Sequence, residues 1–190
     1  MMIKTEAQPT DLCAIEVYLP TTNSKDEEVA VVYEQIDDLM KLVKEKDNLS
    51  IISDFNASIG EENKGLWNGK FGLGKTNARG ERLLDFCEQY EMIVTNTCFE
   101  MPKRRIYTWK SPTDGKMFQI DYILVKKKFM NQIKSSHSYP GYDIDSDHVL
   151  VIADYSSRFM KYKRTNQHRW FVKKLKEKQV AADMKELTDT

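Results

Sequence analysis

Apolar and polar positions alternate between short runs and one long stripe along this chain. Residues 12–19 (LCAIEVYL) form a mostly apolar run halted by Pro20, which predicts a strand. Residues 21–24 then supply capping side chains for a helix. Over residues 26–46 the apolar side chains fall at Val29, Val32, Tyr33, Ile36, Leu39, Met40 and Val43. That spacing is one face of a helix, with acids early and lysines late, as the helix dipole favours. Residues 49–53 (LSIIS) read as a short buried strand running straight into Asp54-Phe55-Asn56. A Gly-rich stretch, residues 60–80, predicts a loop, and residues 81–90 a helix with Leu83, Leu84 and Cys87 on one face. Residues 92–95, 106–109, 118–125 and 149–155 read as further strands. Strands that first alternate with helices and then cluster predict a mixed α/β (α+β) domain over residues 1–157. Residues 158–190 form a basic tail or linker with no clear apolar stripe before Val172 and Leu175.

The chain's 190 residues suit one domain with a substantial core, and 41% apolar with 31% charged residues excludes a disordered tail. No apolar run approaches the length of a membrane span, and the first eleven residues lack the apolar centre of a signal peptide. The expectation is an intracellular protein with no membrane partner. Three cysteines (Cys13, Cys87, Cys98) without a CxxC pair suggest free thiols rather than a disulfide framework or zinc site. A net charge of zero conceals a split. Residues 1–100 carry 10 basic and 19 acidic side chains, and residues 101–190 carry 19 and 10. Such asymmetry predicts an acidic site on one part and a polyanion-facing surface on another, unless these charges are only solvated faces.

Residues 69–76 (GKFGLGKT) match the phosphate-binding pattern GxxxxGK[ST] literally. That motif needs a buried strand before its first glycine and a helix opening at its Lys-Thr. Here EENKG precedes it, and Gly80 follows where a helix would have to continue. A Gly-rich surface loop is the expected reading.

Three other segments place proton- or metal-competent residues beside apolar runs. They are Ser53-Asp54-Phe55-Asn56, Gln119-Ile120-Asp121-Tyr122 and Ser146-Asp147-His148. Singly each reads as a turn, a satisfied buried acid or a polar loop. Together they supply carboxylates and an amide for a metal–phosphate site and an Asp–His pair, a sufficient kit for hydrolysing a phosphodiester.

The order Tyr-x-Pro, Asp-Phe-Asn, Thr-Trp, Ile-Asp-Tyr-Ile, Ser-Asp-His resembles that of the endonuclease/exonuclease/phosphatase superfamily, whose fold is a DNase I-like four-layer α/β sandwich. The intervening stretches FGLGKTNARGERLLDFCEQYEMIVTNTCFE and YTWKSPTDGKMFQIDYILV are similar to endonuclease domains of RTE-type LINE retrotransposons and to craniofacial development protein 2-like proteins. The resemblance covers about residues 12–155 and includes the Asn-x-Arg-Gly that follows the Gly-rich loop. It implies that Tyr18 lines the site and contacts the scissile phosphate region. Asp54 positions or deprotonates the attacking water, and Asn56 binds phosphate and orients Asp54. Asp121 orients His148, which touches a phosphate oxygen, and Asp147 helps to bind Mg²⁺, with Mn²⁺ as its substitute. Thr108 and Trp109 are placed near a DNA-facing rim. DNA is the implied partner, and a nuclear location follows if DNA is the substrate.

Departures from the family pattern shape the remaining expectations. Members begin with an early strand ending in Asn and, further on, a metal-binding Glu, whereas only eleven residues precede the strand leading to Tyr18. The fold is therefore expected to be incomplete at its N-terminus, with an uncovered strand edge and apolar face and an impaired metal site. Ser53 stands where Gly is usual, and Gln119 where distant relatives carry Arg. The reading is a Mg²⁺-dependent DNA endonuclease of retrotransposon descent, impaired by the lost segment. The alternatives are a catalytically inactive nucleic-acid-binding module of the same fold, and a relative acting on other phosphoesters.

Overall fold

The computed structural model describes residues 1–62, 65–141, 145–157 and 160. Nine strands and two α-helices follow one another as β1 (Met2–Thr5), β2 (Leu12–Tyr18), α1 (Asp26–Leu42), β3 (Asn48–Asp54), α2 (Ala78–Gln89), β4 (Met92–Val94), β5 (Trp109–Lys110), β6 (Met117–Phe118), β7 (Asp121–Lys126), β8 (Ile133–Tyr139) and β9 (Leu150–Tyr155). The main sheet has the order β1-β2-β3-β7-β4, with β2 and β3 parallel and the other neighbours antiparallel. Strands β5–β6 and β8–β9 form separate two-stranded pairs.

Period-2 alternation sorts the sheet's two faces. Cys13 and Ile15 of β2, Leu49 and Ile51 of β3, and Tyr122 and Leu124 of β7 join one buried cluster with Val29, Tyr33 and Ile36 of α1 and Leu83, Phe86 and Cys87 of α2. The α1 stripe is the one anticipated, although the helix stops at Leu42 and its N-cap, Lys25, makes no side-chain cap. On the opposite face Ile123 and Val125 pack with Ile133 of β8 and with Val151 and Ala153 of β9. Helices, main sheet and the β8–β9 pair thus make a layered α/β sandwich, with three layers among the described residues.

Several elements differ from expectation for identifiable reasons. The run 118–125 is broken at Gln119–Ile120 because the Thr108 hydroxyl oxygen accepts the N–H groups of Ile120 (2.9 Å) and Asp121 (3.0 Å). Residues 106–109 give only the two-residue β5. Helix α2 begins three residues early because Asn77 caps it, its side chain accepting from the Gly80 N–H at 2.8 Å. The edge of β2 is paired with β1 rather than left open, while Ile52 remains 46% exposed on the face away from the helices. Met1–Met160 forms one compact unit, and the basic tail expected over residues 158–190 lies, except for Met160, outside the described residues. No helix among the described residues is long and apolar enough to cross a membrane.

Tyr122 ties the core to the site's approach. Its fully buried hydroxyl donates to the Gln119 carbonyl (2.7 Å) and accepts the Ile59 N–H (2.9 Å). Tyr122→Phe should therefore cost about 1–3 kcal/mol, because the Ile59 N–H and Gln119 C=O lose their partner without water to replace it. Denaturant unfolding would register this as a lower midpoint with an unchanged slope.

Candidate active site

Antiparallel pairing of β3 with β7 sets Asp54 directly opposite Asp121, at the end of the sheet and on the face away from the helices. The parallel register of β2 and β3 adds Tyr18 beside Asp54. His148 arrives from the segment before β9, which is stitched to β5: Trp109 bridges His148, and the Val149 N–H donates to the Thr108 carbonyl at 2.7 Å. Four segments distant in sequence thus converge through backbone pairing alone.

Polar contacts then fix the side chains. Asn56 has a left-handed backbone (φ 47°), a conformation Asn tolerates better than most residues. Both its donors consequently reach Asp54. The Asn56 N–H donates to Oδ1 at 2.9 Å and its Nδ2 to Oδ2 at 3.2 Å, while Nδ2 also holds the Leu19 carbonyl at 2.8 Å. His148 directs Nδ1 at both oxygens of Asp121, at 3.2 and 3.1 Å, so that Nδ1 carries a proton. Its Nε2 faces Asp54 Oδ2 at 4.0 Å. That gap is too long for a hydrogen bond and short enough for one oxygen atom to bond to both groups.

Burial raises the Asp54 carboxyl above the ordinary carboxylate range, the Asn56 N–H opposes it, and the neighbouring Asp121 charge adds to the rise. Burial also raises Asp121, against the pull of Thr108 and of the His148 ring. Asp147 is different: its exposed carboxylate accepts the Trp109 indole N–H at 2.7 Å, which lowers its pKa. One ligand atom each from Asp54, Asp121 and His148 lies within 4.8 Å of the others. The two hard carboxylates suit a divalent cation, which would relieve the repulsion between the two acids.

A cleft of about 510 Å³ opens over this group. Trp109, Phe118, Asp147 and His148 line it together with Thr21, Thr22 and Asn23 and with Tyr18, Asp54 and Asn56. All six site residues anticipated from the sequence, Tyr18, Asp54, Asn56, Asp121, Asp147 and His148, are thereby brought together, with Asp147 set apart on Trp109. Thr108 is not at the rim: it is fully buried and shapes the turn before Asp121. Ser53 fits where Gly was expected because its hydroxyl donates to the Val17 carbonyl at 2.7 Å. Sequence reading missed the Trp109–Asp147 bond and the wall at residues 21–23, which carry no recognisable motif.

Comparison with known proteins bears on the family and the fold. The profile of the family described as endonuclease-reverse transcriptase matches residues 12–152. Craniofacial development protein 2 of Bos taurus is 38% identical over 153 residues, 80% of this chain. The match takes in 26% of that protein, so the chain spans about a quarter of its length. The endonuclease domain of TRAS1, a telomere-specific non-LTR retrotransposon, superposes with a TM-score of 0.57 at 14% identity, over 81% of this chain and 63% of that one. The 3′ phosphatase NExo from Neisseria, bound to a product DNA hairpin, superposes with a TM-score of 0.52 at 15% identity, over 82% and 65%.

Proposed function

Because this chain belongs to the endonuclease-reverse transcriptase family and to the endonuclease/exonuclease/phosphatase superfamily with its DNase I-like fold, we propose that its cleft is a metal-dependent phosphodiesterase site acting on DNA. The observation that carries this reading is the ordered series Asn56–Asp54···His148–Asp121, with its 4.0 Å opening between Asp54 Oδ2 and His148 Nε2. DNA-handling neighbours, TRAS1 from a retrotransposon and NExo bound to a DNA hairpin, support the choice of substrate and of retrotransposon descent.

In this account a water molecule lodged beside Asp54 attacks the phosphorus. It gives its proton to the Asp54 carboxylate, whose raised pKa makes it a stronger base than an ordinary aspartate. Asn56 holds that carboxylate in place through two donors. His148 Nε2 donates to a phosphoryl oxygen as charge builds there, and Asp121 at Nδ1 stabilises the imidazolium. The P–O ester bond breaks, and the leaving oxygen is protonated from solvent. Asp54 and Asp121 supply carboxylate oxygens that would hold a divalent cation, with Asp147 a further carboxylate on the cleft wall. When bound, that cation neutralises negative charge on the phosphoryl oxygens.

An end-labelled DNA duplex incubated with the chain and Mg²⁺ or Mn²⁺, beside an EDTA control, tests the reading. Internal cleavage that EDTA abolishes is expected. Cleavage that survives EDTA, or a folded chain that leaves the duplex intact with either metal, would overturn it.

A further inference from the structure

The Asn-x-Arg-Gly segment that follows the Gly-rich loop has no role in the chemistry above, yet it stands where two walls of the cleft meet. Asn77 caps α2 and at the same time accepts the Ser58 N–H at 3.1 Å, while the Asn77 N–H donates to the Ser58 carbonyl at 3.1 Å. Both residues line the cleft. Arg79, two residues on, turns the other way. Its side chain is only 12% exposed, and its guanidinium donates through Nη2 to the Ser24 carbonyl at 3.0 Å and reaches the Pro20 carbonyl through Nη1 at 3.5 Å. Those two carbonyls bracket Thr21, Thr22 and Asn23, which line the cleft along with Trp109, Phe118 and His148. A carboxylate is a minor partner, since Asp26 is 3.8 Å away and 91% exposed.

We infer that Arg79 is a positioning residue that fixes the Thr21–Asn23 wall and thereby sets the cleft's fit to bound DNA. The inference rests on the cleft being the DNA site. The physical case is that residues 21–24 are a strand-to-helix connection with little to hold it. Among the described residues, its one internal backbone hydrogen bond runs from the Ser24 N–H to the Thr21 carbonyl at 2.9 Å. The planar fork of Arg holds two carbonyls four residues apart through two nitrogens of fixed spacing, a geometry that the point-like ammonium of Lys does not reproduce. Among the described residues, the hydrogen bonds and ion pair of Arg79 reach Pro20, Ser24 and Asp26 and not Asp54, Asp121 or His148. Its influence should therefore fall on substrate binding and not on the bond-breaking step.

The test compares the parent chain with Arg79→Ala, Arg79→Lys and, as a control, Asp26→Asn. Steady-state cleavage of a DNA duplex should show KM raised about ten-fold in Arg79→Ala, the loss expected for a charge-assisted hydrogen-bond pair. Arg79→Lys should fall between, kcat should stay within about two-fold, and Asp26→Asn should match the parent. Duplex binding in EDTA, followed by fluorescence anisotropy, should weaken in the same order. Hydrogen exchange of the amides at residues 21–24 should quicken in both Arg79 variants. An active parent with an unchanged KM in Arg79→Ala, a fall in kcat alone, or unaltered exchange at 21–24 would overturn the inference while leaving the DNA reading in place. A folded parent that neither binds nor cuts the duplex would overturn the DNA reading itself.

Discussion

Asp54→Asn should leave the protein more stable and without activity. The amide cannot accept the proton of the attacking water, so DNA cleavage should drop by about 10²–10⁴-fold, the range for loss of a positioned general base. Stability should move the opposite way. The folded state holds the Asp54 carboxyl above its ordinary value of 3.8, mainly through burial and with help from the Asp121 charge. A carboxyl with a raised folded pKa favours the native state only while it is protonated. The metal-free protein therefore loses stability as pH climbs from the ordinary carboxylate range through the folded pKa, and the loss is constant above it. Asn carries no such charge. Thermal unfolding in EDTA at neutral pH should consequently show Asp54→Asn melting above the parent, with the difference shrinking as pH falls through the folded pKa and gone below about 4. A variant melting below the parent at neutral pH would contradict the burial argument.

Gly69→Ala should be among the most damaging single substitutions outside the site. A Cβ on Gly69 would lie 2.1 Å from the Thr97 carbonyl oxygen and 2.6 Å from the Cys98 Cα, both backbone atoms that cannot step aside. The expected cost is about 3 kcal/mol, at the upper end of overpacking penalties. Gly74→Ala is the informative comparison. Gly74 has a left-handed backbone (φ +77°) but nothing within 4 Å of a Cβ, so its replacement should cost about 1–2 kcal/mol. Chemical denaturation of the two variants reads the contrast. The same geometry explains the misleading phosphate-binding pattern at residues 69–76. Its first glycine is required by packing against residues 97 and 98, and no helix opens at Lys75-Thr76, because α2 starts at Ala78. Addition of ATP or GTP should leave the melting temperature unchanged.

The site was legible in the sequence because its chemistry sits at strand ends, where an apolar run stops at Asp54 or starts after Asp121 and His148. The α1 face was legible for a similar reason, since burial of Val29, Tyr33, Ile36 and Met40 leaves a 3.6-residue signature. Strand β8 was not. Its sequence IKSSHSY is mostly polar, yet Ser136, His137 and Ser138 are buried, and the Ser136 hydroxyl is satisfied by Thr95 at 2.8 Å. Hydropathy cannot signal a strand whose buried positions are filled by polar side chains. Strand β1 escaped notice because MIKT is short and alternates weakly. What holds it is polar: Lys4 pairs with Asp11 at 3.2 Å and with the buried Asp47 at 2.7 Å, contacts between segments that only the folded chain brings together. The Thr108 hydroxyl at the Ile120–Asp121 turn and the Arg79 fork over residues 20–24 were hidden for the same reason. Each acts on backbone groups distant in sequence, and residue types alone do not announce such contacts.

The central claim is that Asp54, Asn56, Asp121 and His148 form a working phosphodiesterase site. Conversion of supercoiled plasmid to nicked circles, followed over time with Mg²⁺ for the parent chain and for His148→Ala, tests it most directly. The account predicts nicking by the parent that EDTA abolishes and that His148→Ala slows by about 10²–10⁴-fold, with both proteins giving the same folded spectrum. Equal nicking by the two proteins, or none by a folded parent, would contradict it.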